Sequence, residues 1–196
     1  MIKMTITQIS LLALCALVLF FLMLAYIIRI NRKAMTAHCE SFENLSALIP
    51  GSVSKYSKLL DQPSFSGMFS SHKYSFTYAR GLLPSRWFEL NFERKSANGM
   101  KLYFYSGSVG RVLFMKRIYT GDHMLDQYFI YSNKPEEAKR FLSDYSRLTA
   151  IKNLIWAGWD PPNIIGKLLK TSTGVPVRID PQWIKKTLEN ILILGT

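Results

Sequence analysis

The sequence predicts an α+β domain carried on one N-terminal membrane helix, with an antiparallel sheet and helices packed on one of its faces. Three observations predict it. Ile9 to Ile28 is a run of twenty residues without a charge. The middle of the chain alternates apolar and polar residues, the period of a half-buried strand. The last third returns to helical spacing, and strands followed by helices is the order of an α+β domain.

The apolar run comes first. At about 1.5 Å per residue, a helix of this length spans about 30 Å, the thickness of a bilayer's hydrocarbon core. Tyr26 stands near one end, where aromatic anchors occur. A cleaved signal peptide would carry a shorter apolar core, about 7–15 residues, closed by small residues. Here the run continues into Arg29-Ile30-Asn31-Arg32-Lys33, a stop-transfer pattern. One lysine, Lys3, precedes the helix and Arg29, Arg32 and Lys33 follow it, so the positive-inside rule orients the C-terminal domain to the cytoplasm and the N-terminus outside. Cys15 does not read as a lipidated cysteine, because bulky Leu14 precedes it and the apolar run continues beyond it.

The domain elements follow in order. Met35, Phe42, Leu45, Leu48 and Ile49 recur at partly helical spacing and predict a juxtamembrane helix ended by Pro50-Gly51. Ser52 to Gly67 is polar and reads as a connector. Residues 1–33 are thus tail, membrane helix and basic flank, 34–66 juxtamembrane helix and connector, and 67–196 the folded domain. Tyr74, Phe76 and Tyr78 alternate with polar neighbours, as do Phe88, Leu90 and Phe92, so each group predicts a strand. Asn98-Gly99 is a hairpin dipeptide and pairs the second of these strands with Met100 to Ser106. Val112 to Tyr119 and Gln127 to Tyr131 predict two more strands. Pro135 and Glu136-Glu137 suit the first turn of a helix. Ala138, Phe141, Leu142 and Tyr145 form the expected buried stripe, and Leu148, Ile151, Leu154 and Ile155 continue it, as one helix or two, until Gly158 and Pro161-Pro162. Ile164 to Leu169 and Val175 to Ile179 predict a strand pair turning at Thr173-Gly174. Asp180-Pro181 caps a closing helix.

Composition bounds the function. The chain has 196 residues, 48% of them hydrophobic and 13% aromatic, which argues against an intrinsically disordered chain. Setting aside Lys3, Arg29, Arg32 and Lys33 leaves 21 basic residues against 13 acidic ones from Ala34 onward, a net of +8. That charge favours an anionic partner, a lipid surface before nucleic acid. Two cysteines, Cys15 and Cys39, make no disulfide framework and no zinc spacing, and no cofactor motif is present.

Candidate chemistry is sparse. Asp122-His123-Met124-Leu125-Asp126 is the densest polar cluster, and its Asp122, His123 and Asp126 are the candidates for acid/base work. The competing reading is a turn whose carboxylates accept backbone amides. Gly166-Lys167 lacks the rest of a phosphate loop. Ser52-x-x-Lys55 and Ser96-Ala97-Asn98 mimic two motifs of penicillin-recognising serine enzymes, but the third is missing. Tyr103 and Tyr105 share a strand face with Lys101, the pattern of a stacking platform as well as of a core strand. Trp156 and Trp159 read as a plug for the end of a helix or as an interaction knob. Arg111, Lys116 and Arg117 form a candidate basic surface.

At Thr120-Gly121-Asp122, followed by Asp126-x-x-Phe129-x-Tyr131 and a helix from Pro135, the chain resembles a group of bacterial single-pass membrane-anchored proteins of unknown function with a TGD-turn α+β domain. Leu125 stands where that pattern has phenylalanine. The resemblance implies an α+β domain on a membrane tether and transfers no catalytic residue.

The favoured reading is therefore a non-enzymatic interaction domain tethered to the bilayer, an accessory subunit of a membrane complex with a membrane-protein partner. One alternative is a membrane-anchored enzyme acting on a lipid or envelope substrate through Asp122, His123 and Asp126. The other is a module that binds anionic lipid or nucleic acid.

Overall fold

The structure, a computed structural model, describes residues 6–54, 63–78, 87–95, 99–107, 114–174 and 179–196. The first element is a single helix, α1 (Ile6–Ser46), 41 residues long. Its N-terminal half exposes Leu14, Leu17, Leu19, Phe20, Leu22 and Tyr26. Met35, Phe42, Leu45 and Ile49, spaced seven, three and four apart, are buried in the domain. The predicted juxtamembrane helix is thus the continuation of the apolar one, because no glycine or proline interrupts residues 29–46.

Among the described residues nine strands form one antiparallel sheet. They are β1 (Ser52–Ser54), β2 (Ser64–Phe69), β3 (His72–Tyr78), β4 (Trp87–Glu93), β5 (Lys101–Tyr105), β6 (Lys116–Ile118), β7 (Phe129–Ser132), β8 (Asn163–Ile165) and β9 (Leu168–Gly174). The helices α2 (Pro135–Ser143), α3 (Tyr145–Trp156) and α4 (Pro181–Gly195) complete the domain.

The strand order is β1-β2-β3-β4-β9-β8-β5-β7-β6, and it corrects three expectations. The strands on either side of Asn98-Gly99 do not pair as a hairpin. Instead β4 pairs with β9, and β5 with β8 and β7. The late β8–β9 hairpin has slid between them. Its turn is at Gly166-Lys167, where Gly166 has φ +62°, and not at Thr173-Gly174, which lies in β9. The second member of the pair expected there, Val175 to Ile179, falls mostly outside the described residues. The connector from Ser52 to Gly67 in turn contributes β1 and most of β2, with 55–62 outside the described residues.

Alternation gives the sheet one buried and one open face. Phe65, Phe76, Phe88, Leu90, Phe92, Leu102, Ile130, Ile164 and Leu169 point to the covered side and are essentially inaccessible. Phe42 of α1 lies on Phe65, Tyr78 and Phe88 with ring centroids 5.4–6.1 Å apart. Ile184, Leu188 and Ile191 of α4 and Ala150, Ile151 and Leu154 of α3 cover the rest. Each fully buried side chain of this size contributes about 1.5–3 kcal/mol.

Local signals set the helix ends. Asp144 separates α2 from α3 by accepting a hydrogen bond from Arg147 N at 3.0 Å. After α3, Trp159 N donates to Leu154 O and Gly158 N to Ile155 O, a Schellman close with Gly158 at φ +87°. That close swings Trp159 into the core, where it stacks on Trp183 at 4.9 Å, and leaves Trp156 exposed. Asp180 caps α4 through Gln182 N, with Pro181 in the first turn.

Candidate functional site

The Thr120–Asp126 segment follows β6 and is held by its own side chains. Asp126 accepts from Thr120 N and Thr120 Oγ1, both at 2.8 Å, and from Gly121 N at 2.9 Å. Asp122 Oδ1 accepts from Met124 N at 3.0 Å and Leu125 N at 3.3 Å, while its Oδ2 pairs with Lys152 Nζ of α3. Leu125 drops into the core as the turn's apolar pin, and His123 points to solvent. The Lys152 hydrogen bond chiefly holds the Asp122 carboxyl below the usual carboxylate range. For Asp126, burial pushes upward, but the Thr120 and Gly121 donors outweigh it and its carboxyl also lies low. Both are acceptors in a closed turn, and His123 has no contact that joins it to them among the described residues. Nor do any three His, Cys, Asp or Glu side chains among the described residues gather as a metal-holding group.

The open face of the sheet changes character across its width. On β3, β4 and β9 it carries Ser75, Thr77, Asn91, Glu89 and Lys170, the last two paired at 2.9 Å. On β5, β7 and β6 the register aligns Tyr103 with Tyr131 and Arg117, and Tyr105 with Phe129. Tyr103 and Tyr105 lie nearly parallel at 6.1 Å, and Tyr131 meets Tyr105 edge-on at 6.1 Å. The Arg117 guanidinium sits 4.4 Å from the Phe129 ring centroid and 4.6 Å from that of Tyr119. The result is a contiguous aromatic patch with a cation held across it, on the face of β5, β7 and β6 opposite the one that carries buried Ile118 and Ile130.

The structure therefore separates the expected basic surface. Lys116 and Arg117 are adjacent in β6 and point to opposite faces, because Lys116 stands opposite Ser132 and Arg117 opposite Tyr131. Arg111 lies outside the described residues, as do Lys55 and Ser96-Ala97-Asn98. Arg29, Arg32 and Lys33, three and four apart, are exposed together on α1 beyond its apolar half. Cys15 and Cys39 form no disulfide and stand about 36 Å apart along that helix.

Comparison with known proteins adds little to this geometry. No protein-family model matches the sequence, and no curated protein matches it. The chain is similar to the crystal structure of the mycobacterial trehalose monomycolate transport factor A, TtfA, at 10% identity and a TM-score of 0.49, covering 86% of this chain and 92% of that one. Nothing about function follows from a likeness at that level.

Sequence reasoning found the Tyr103–Tyr105 pair but not its partners. Phe129 and Tyr131 read as one more core strand until β7 is placed between β5 and β6. Arg94, Arg140 and Arg147 carry no signal in the sequence for the same reason: they meet only in the fold.

Proposed function

We propose that this protein is a bilayer-tethered interaction domain whose aromatic–arginine face on β5, β7 and β6 receives a membrane-protein partner. The observation that carries the reading is α1. One uninterrupted helix exposes its apolar side chains from Ala13 to Tyr26 and buries Met35, Phe42 and Leu45 in the domain's core. A helix built this way transmits position: it spans the bilayer at one end and fixes the orientation of the sheet at the other. The exposed cluster Arg29, Arg32 and Lys33 supports the cytoplasmic orientation of the domain.

The partner is read from composition. Tyrosine and arginine are the residues that concentrate binding energy at protein interfaces, since each supplies a large contact area and a polar tip. Tyr103, Tyr105 and Arg117 offer both on a rigid sheet.

The test places a photo-crosslinking residue at Tyr103 and, as a control, at Ser75 on the polar half of the same face. Gentle detergent extraction then follows each. The expected result is one stoichiometric membrane protein crosslinked from Tyr103 and not from Ser75, lost when Arg117→Ala is added. Equal yields from both positions, or a chain that extracts and sizes alone, would reject the reading.

A further inference from the structure

Arg94 follows β4 and is 6% exposed, yet its Nε and Nη1 have no hydrogen-bond partner among the described residues. An arginine this buried ordinarily meets a carboxylate, a carbonyl or an anion, since unpaired buried donors are costly. Its guanidinium lies 5.8 Å from the centroid of the Phe141 ring, and that of Arg147 lies 4.7 Å from the same centroid. Two like charges share one aromatic side chain. Burial first, and then the charge of Arg147, weaken the hold of Arg94 on its proton.

These groups line an open cleft of about 450 Å³ whose walls include Met100, Arg140, Phe141 and Thr196. Glu137 is there too, but its Oε1 already holds Lys134 Nζ at 3.1 Å. Among its side chains the cleft thus sets three guanidinium groups against one carboxylate that has a cation of its own. Guanidinium forks match tetrahedral oxyanions better than any other side chain.

We infer that the cleft formed by Arg94, Arg140 and Arg147 binds a phosphate group, as inorganic phosphate or the phosphoryl end of a soluble ligand. A phosphate seated there satisfies the donors of Arg94 and offsets the repulsion between it and Arg147. The position of the cleft favours a soluble source over the bilayer. The Tyr78 end of β3 stacks on His38 of α1, centroids 3.5 Å apart, and Tyr78 is in register with Phe88 of β4. Arg94 stands six residues after Phe88, just past the end of β4, about 20 Å beyond that contact. The site is distinct from the aromatic face, because Arg94 and α2 lie on the covered side of the sheet and the aromatic face is on the open side.

The test uses the full chain in detergent micelles, titrated with inorganic phosphate and with pyrophosphate against chloride at matched ionic strength. Phosphate is expected to raise the melting temperature saturably by about 3 °C. Arg140→Gln and Arg147→Gln, both on partly or wholly exposed side chains, are expected to weaken the apparent Kd about tenfold each without lowering the phosphate-free Tm. Arg94→Lys keeps the charge but not the fork, and is expected to weaken binding as well. An equal shift with chloride, or binding unchanged in both glutamine variants, overturns the inference. Repeating the titration in nanodiscs of phosphatidylcholine with and without phosphatidic acid separates the sources. Phosphate binding unaffected by phosphatidic acid is the expected result; displacement by it would put the phosphate on a lipid and overturn the soluble assignment.

Discussion

Asp122 and Asp126 show how little room a short polar turn leaves for chemistry. Five donors from the backbone and from Thr120, together with the ammonium of Lys152, use their oxygens. Asp126→Ala removes three of those hydrogen bonds at once and is expected to cost about 2 kcal/mol in chemical denaturation. Both carboxyls are held low in the folded chain, so the unfolded chain takes up protons first as the pH falls. The stability they contribute is complete above about pH 4, the ordinary carboxylate range, and is lost as the pH drops through their lower folded values. Melting curves from pH 6 to pH 3 should therefore steepen downward below pH 4, and the decline should flatten in the Asp122→Asn, Asp126→Asn double variant. An unchanged slope would mean that other carboxylates govern acid unfolding.

At the scale of elements, β2 passes close against the chain at Pro50-Gly51, just beyond α1. A Cβ added to Gly67 would run into the Pro50 carbonyl oxygen and come within 2.9 Å of both Gly51 Cα and the Tyr74 hydroxyl. That hydroxyl donates to Pro50 O at 2.6 Å, closing the same corner from the other side. Backbone cannot retreat as a flexible side chain can, so Gly67→Ala is expected to destabilise by about 1–3 kcal/mol. A melting temperature within a degree of wild type would show that the corner opens freely. The neighbouring hairpin explains why the sequence predicts a connector where β2 forms. Its two-residue turn is Ser70-Ser71, with φ +48° and +68°, a conformation that favours asparagine and glycine. His72 compensates by bringing Nδ1 to 2.9 Å from Ser70 O. No turn dipeptide marks it in the sequence.

For the whole molecule, the long apolar helix and the domain share one core. Phe42 and Leu45 belong to α1 and are completely buried against the sheet. A chain beginning after Ser46 would leave Phe65 and Phe88 without their cover, a loss comparable to a Phe→Ala core substitution at about 3–5 kcal/mol for Phe42 alone. Such a chain is expected to aggregate or elute as an expanded species in size-exclusion chromatography. One beginning at Ala34 keeps the contacts and should be compact. If the shorter chain were equally compact, α1 would be a tether only and the orienting role proposed for it would fall.

The sequence by itself determined what rests on local spacing. The apolar run of α1, the strand character of Phe76 and Leu90, the Asp180-Pro181 cap and the α+β class all depend on residues a few positions apart, and all are legible as periods and caps. Only the tertiary structure decided what rests on pairing at long range. Asn98-Gly99 looked like a hairpin because local turn chemistry was the only guide, yet β9 pairs with β4 from about 80 residues away. Strand neighbours are chosen by which faces bury most together, with Leu90 opposite Thr171 and Phe92 opposite Leu169, and no window of sequence contains both partners. The same reason hid Arg94 among Arg140 and Arg147, and Arg117 between Tyr119 and Phe129: each is an ordinary charged residue until the sheet closes around it.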